Sequence, residues 1–370
     1  MDRRDALRAL VSAPLFAACG SDNRTGSAGA PLIGVDVVRS TEPLGFLWKT
    51  LDPFLFCAHH DDAYPAGNGS FGPDGSLEGR RIGNDFEGKN GWNMYHGSVV
   101  PGFPSHPHRG FETVTIVRTG LVDHSDSLGA AARYGQGDVQ WLTAGEGIVH
   151  AEMFPLLQSG GPNPLELFQI WVNLPSYDKM TAPHFAMLWR NQIPNETLLD
   201  TSGRKVEVTV IAGSFGSRVG AAPPPKSWAA DASHALGIFT LKFDPSASVV
   251  LPAAPAGSNR MLYFFHGSSM KIGTRTVTTR VALELVADAD VLIENGDAAA
   301  EVLVLTGKPI GEPVAKHGPF VMNTDAEIVK AQRDFQATRF GGWPWRAPDP
   351  VHDLEERFAR HADGRTERGV

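Results

Sequence analysis

Two stretches decide how this chain is read: Pro104-Ser-His106-Pro-His108-Arg-Gly-Phe-Glu112 and, further on, Ala144-Gly-Glu-Gly-Ile-Val-His150-Ala-Glu152-Met153. Each carries a pair of metal-type ligands two residues apart, His106/His108 and His150/Glu152. On a β-strand, side chains at i and i+2 leave the same face. Two such strands side by side would therefore converge four ligands on one point. Three imidazoles and one carboxylate suit a first-row divalent ion, so the spacing predicts a metal site.

The 370 residues are enough for two domains. A net charge of −8, with no basic stripe, argues against a protein that coats nucleic acid. Forty glycines and 27 prolines punctuate short apolar runs, a pattern of many short strands rather than long helices. Cys19 and Cys57 are the only cysteines, so no disulfide framework holds the fold.

Residues 1–19 combine Arg3-Arg4, an apolar run and Phe16-Ala-Ala-Cys19. This reads as a twin-arginine-like export signal ending in a lipobox-like motif, with Cys19 lipidated at the bacterial cell envelope. The Gly/Ser/Ala-rich residues that follow, up to residue 31, read as a flexible tether.

Beyond the tether, residues 32–38 and 51–56 read as strands. The Gly/Asp/Asn-rich stretch 59–97 reads as a structureless lid over the site entrance. Alternating strands are expected from 112 to 126, at 139–142, at 148–153 and at 165–174, with a hairpin over 195–211 and a connection at Ala221-Ala-Pro-Pro-Pro225. Residues 236–243, 261–266, 270–278, 281–286 and 302–306 repeat the short-strand pattern and read as a second barrel-like domain. That domain lacks any His-x-His or His-x-Glu pair and is expected to hold no metal. Residues 327–338 are the one convincing helix, with Ile328, Ala331 and Phe335 on one stripe. The expected domains are 32–220 with the metal site and 226–340 without it, followed by a tail, 341–370, that packs only partly.

Several motifs resemble the pirin family: Phe103-Pro-Ser-His-Pro-His-Arg-Gly-Phe-Glu-Thr-Val-Thr115, Gly137-Asp-Val-Gln-Trp-Leu-Thr-Ala-Gly-Glu-Gly-Ile-Val-His-Ala-Glu-Met153, Phe168-Gln-Ile-Trp-Val-Asn-Leu-Pro175 and Gly318-Pro-Phe-Val-Met-Asn-Thr324. The resemblance covers roughly residues 100–340. It implies an all-β bicupin, two antiparallel β-barrel (cupin, jelly-roll) domains with a C-terminal helix. It also implies one metal, usually iron, held by the positions of His106, His108, His150 and Glu152. Ser105 stands where an acidic residue is common in the family and Glu146 where arginine is common, differences expected to alter the electrostatics of the site.

Glu112 is the rival ligand, but it lies four residues past His108, about 13 Å along an ideal strand, and is expected behind the ligands rather than on the metal. Phe103, Phe111 and Trp141 read as core side chains ahead of walls of an aromatic-substrate pocket, and His59, His60 and His96 as solvated loop residues ahead of groups that gate or hydrogen-bond a substrate. Two functions are compatible with these residues. The first is an Fe(II)-dependent dioxygenase, which the resemblance implies acts on flavonols such as quercetin. In it Glu152, on leaving the metal, would take the substrate's 3-hydroxyl proton, and Arg109 would either stabilise developing negative charge or make a structural salt bridge. The second is a non-catalytic metal protein that senses redox state or docks an envelope partner.

Overall fold

The fold is known from a computed structural model, which describes residues 36–278, 280–353 and 356–369. The export signal, Cys19 and the tether lie outside them.

Most of the described chain is short antiparallel strand, as the turn-rich composition predicts. In the first barrel one sheet runs His184–Leu188, Val139–Thr143, Phe111–Thr119, Asn163–Asn173, Phe54–Tyr64 and Leu47–Trp48 in hydrogen-bonded order. The opposing sheet runs Thr366–Arg368, Phe358–Arg360, Ala131–Gly135, Leu121–Asp126, Ile148–Met153 and Gly102–His108. Val117, Leu142, Leu165 and Leu167 from the first meet Val122, Ala132, Tyr134 and Ile148 from the second in one core. The second barrel packs a seven-stranded sheet against a four-stranded one, around Val208, Leu241, Leu262, Phe264, Leu283 and Val302.

A third apolar layer joins the barrels. Alternation along Phe111–Thr119 sends Val117 into the first barrel and Val114 and Ile116 outward, where they pack with Ile238, Met261, Leu303 and Leu305 of the second. That strand is buried on both faces over most of its length. The architecture is the expected all-β bicupin with a helix near its C-terminal end. That helix, Asp325–Thr338, is closed by a capping box between Thr324 and Glu327. It lays Ile328 and Ala331, with Phe320 and Phe340, on Val149, which lies on the ligand strand Ile148–Met153.

Sheet membership crosses the expected boundaries. Val38–Pro43 pairs with Val281–Leu285, and Lys205–Ala212 pairs with Gly237–Phe243, so segments assigned to the first domain complete the second sheet. The tail packs through part of its length, and that part completes the first barrel. Phe358–Arg360 pairs with Ala131–Gly135, and Arg357 meets Asp138 at 2.7 Å. The main chain of His352 bonds both Asp123 and Arg133, which form a buried ion pair. The stretch 59–97 is not structureless either. Residues 59–64 continue a strand. Beyond them Arg80 stacks over Trp92 and bonds Asp85 at 2.8 Å, and Tyr95 donates to Asp62 at 2.6 Å.

Deleting residues 342–370 would bare the edge of Ala131–Gly135 and strip partners from Asp123 and Arg133. It is expected to lower the melting temperature by roughly 5 °C or more and to promote association through the open edge, read by thermal melts and light scattering.

Candidate metal centre

Gly102–His108 and Ile148–Met153 pair antiparallel with Phe103 opposite Glu152, His106 opposite His150 and His108 opposite Ile148. A bulge between Phe103 and His106 inserts one extra residue, so these two side chains, three apart, both reach the same cavity. The bulge is pinned from outside by a 2.7 Å bond from the Ser105 amide to the Pro348 carbonyl. Pro107 is tolerated because Gly102–His108 is the last strand of its sheet. Gly110, at φ 86°, then turns the chain, and any Cβ there would lie 2.0 Å from the Val321 carbonyl oxygen.

The result is a triad of imidazoles. Ligand atoms of His106, His108 and His150 lie within 4.8 Å of one another, with ring centroids 4.4 to 4.8 Å apart. The Pro104 carbonyl, 2.9 Å from His106 Nδ1, fixes that ring and leaves Nε2 for the cluster. Both nitrogens of His150 and Nδ1 of His108 are buried without a hydrogen-bond partner. Burial holds the His106 ring down at about 4 and pushes His108 and His150 well below the usual histidine range, the neighbouring imidazoles adding to it. Neutral imidazoles with unengaged nitrogens, beside a carboxylate, are a donor set that fits a divalent first-row ion.

Glu152 stands beside the triad, its Oε2 3.9 Å from His150 Nε2. Gln169 Nε2 donates to it at 3.0 Å, and Thr115 Oγ1 lies 3.2 Å from its other oxygen. Burial raises its pKa, partly offset by nearby His124 and these two bonds. The cavity has a volume of about 610 Å³; His106, His108, Glu152 and Gln169 border it, with Phe103 and Trp171 among its aromatic walls.

Other expectations are corrected. Arg109 turns away from the cavity, bonding Asp334 on the helix at 2.7 Å and the Glu146 carbonyl at 2.6 Å while lying over Phe340. It clamps the helix to the ligand strand and faces no developing charge. Glu112 leaves the opposite face of its strand from Phe111 and Thr113, and is buried against Thr143 and Ser227 at 2.7 and 2.5 Å, not behind the triad. Burial there lifts its carboxyl to about 7. The Glu146 side chain is exposed and outside the cavity, whereas Ser105 borders it. Phe111 and Trp141 are core, but Phe103 lines the cavity. His60 is buried at the cavity wall, and His59 bonds Glu166 at 3.0 Å. Sequence reasoning missed His124, whose ring lies 5.6 Å from His150 and whose Nε2 is 3.2 Å from Asp126. The signal for it was alternation along Leu121–Asp126.

Two six-stranded sheets around an imidazole triad, backed by a second barrel, define a bicupin with a candidate metal centre. The Pirin family profile matches residues 37–172 and that of the Pirin C-terminal cupin domain matches residues 238–341; the chain belongs to the pirin family. Among its relatives, a pirin-like protein of Caulobacter vibrioides is 40% identical over 65% of this chain and 80% of its own. Human pirin is 36% identical over 68% and 81%. A Pseudomonas aeruginosa protein provisionally named a quercetin 2,3-dioxygenase is 38% identical over 64% and 79%. Among solved structures, a quercetin 2,3-dioxygenase from Acinetobacter baumannii superposes with a TM-score of 0.65 at 28% identity, covering 83% of this chain and 98% of that one.

The depressed histidine pKa values set a pH dependence. The metal-free fold favours the neutral ring, so the unfolded chain binds more protons between about 4, where folded His106 titrates, and the free-histidine value near 6.5. The histidine contribution to stability therefore rises with pH across that window, and with three such rings it outweighs the opposite contribution of the raised carboxyls of Glu112 and Glu152. Melts of metal-free protein are expected to weaken progressively as pH falls from 6.5 towards 4. Arg109→Ala is expected to lower unfolding stability by about 1–3 kcal/mol, checked by denaturant titration.

Proposed function

We propose that the chain is an Fe(II)-dependent dioxygenase that opens a flavonol-type substrate such as quercetin. The observation that carries this reading is the imidazole triad, with His106, His108 and Glu152 bordering an aromatic-walled cavity of about 610 Å³. The names of the Pseudomonas and Acinetobacter relatives support the substrate class. His106, His108, His150 and Glu152 would hold the ion. Bound there, ferrous iron would supply Lewis acidity and open coordination positions for oxygen chemistry.

The chain's own residues supply the remainder. Gln169 and Thr115 orient the Glu152 carboxylate, which, on leaving the ion, would take the substrate's 3-hydroxyl proton. Trp171, packed 5.4 Å from His108, and Phe103 exclude water and present apolar faces to a flat ring. Dioxygen is the oxidant, and both its atoms enter the product. Export and lipidation at Cys19 belong to the same reading and rest on the sequence of residues 1–19 alone.

Protein purified without oxygen and loaded with Fe(II) is expected to consume O2 in proportion to quercetin loss, measured with an oxygen electrode. His108→Ala is expected to bind less iron and show no uptake. Tight iron binding by the parent without uptake would reject quercetin as substrate and favour a binding role for the centre.

A further inference from the structure

The strand Phe54–Tyr64 forms one wall of the cavity and carries a residue with no role so far. Phe56, Ala58 and His60 share its inner face at i, i+2 and i+4 and pair with Trp171, Gln169 and Leu167. The three rungs order the cavity from the metal centre outward. Trp171 packs against His108 and Gln169 holds Glu152. His60 stands one rung pair beyond Gln169, about 7 Å along the strand.

Around His60 the wall is aromatic. Tyr95, Phe46 and Phe103 place ring centroids 4.9, 5.8 and 5.8 Å from the imidazole. Phe46 in turn meets Phe86 edge-on at 5.8 Å. Phe46 and Phe86 are 48% and 37% exposed, so they form an apolar mouth to the cavity. Two neighbouring polar groups are engaged: Tyr95 Oη donates to Asp62, and Nδ1 of His96 lies 2.7 Å from the Gly83 carbonyl. No hydrogen bond among the described residues reaches the imidazole of His60. Its Nδ1 is sealed in, which leaves Nε2 as the nitrogen that borders the cavity.

We propose that His60 is a specificity-determining residue that hydrogen-bonds a neutral phenolic hydroxyl on a second aromatic ring, while the first ring lies at the metal centre. This rests on the flavonol reading and deepens it. The aromatic mouth grips the second ring by edge and face contacts. Burial holds His60 neutral, at about 3, so it offers a hydrogen bond without a charge. A phenol satisfies it, whereas a carboxylate would be desolvated there with no compensating cation.

The test is equilibrium binding to the full-length, Fe(II)-loaded protein without oxygen, so that turnover plays no part. The probes are kaempferol, which carries the 4′-hydroxyl, and galangin, which lacks it. The parent is expected to bind kaempferol about 5- to 10-fold more tightly. His60→Phe, which fits an aromatic surround, is expected to bind both within about twofold. His60→Gln, which restores a hydrogen-bonding group, is expected to recover part of the preference, with melts confirming that both variants fold. Equal binding by the parent, or a preference that survives in His60→Phe, would overturn the assignment while leaving the flavonol reading intact. If neither flavonol binds the parent, the flavonol reading fails and this assignment goes with it.

Discussion

Everything at the site depends on one strand pairing, Gly102–His108 against Ile148–Met153, in the register that sets His106 opposite His150. Because the side-chain period of a strand is two, a slip of one residue would carry the ligands of one strand to the outer face. The register is held from the side away from the cavity. There Val149 packs under Phe320, Ile328, Ala331 and Phe340, and Arg109 ties the turn to Asp334. The bulge is anchored by Pro348, far along the chain. Helix and tail thus act on the metal centre through the backbone, with no contact to an ion.

The site runs against stability. Buried imidazole nitrogens without partners cost roughly 1–3 kcal/mol each, and the raised pKa of Glu152 shows that burial also disfavours its charge. An ion bound to those nitrogens and that carboxylate would convert the cost into coordination. Metal binding should then stabilise the native state by mass action. The apolar layer between the barrels, with Phe168, Ile170, Met261 and Leu305 in it, provides the compensating burial. This assigns the second barrel a physical role although it brings no ligand to the triad.

The triad was legible because its signal is local: i, i+2 pairs on strands need only the strand period to be read. Sheet membership was not, because Val38–Pro43 and Val281–Leu285 meet across most of the chain and composition carries no trace of which edges join. For a related reason the sequence does not choose between the two readings of Arg109. It neighbours His108 in sequence, but its partner sits on a distant helix. Glu112 shows that counting distance along a strand without counting faces misplaces a side chain. His60 reads first as a loop residue because the apolar strand pattern stops at Phe56, ahead of the polar run that starts at His59. Asp61 is exposed and His60 and Asp62 are buried, so that polar run alternates like any half-buried strand.

The two ends of the cavity are built differently. The inner end is all sheet: His106, His108, Thr115, Glu152, Gln169 and Trp171 all come from strands. The mouth is partly loop, with Phe86 and His96 coming from the glycine-rich stretch and Phe46 from the turn before Leu47–Trp48. Sequence can drift in such segments at little cost to the fold, so the mouth can be refitted to a new ligand while the metal centre stays in place. Phe103 limits that independence. It stacks on Tyr95 at 5.1 Å, packs 5.8 Å from His60 and lies 6.3 Å from His106. It therefore belongs to both ends, and the bulge that brings it to the cavity also sets His106. A mouth rebuilt without regard to Phe103 would disturb the centre it serves.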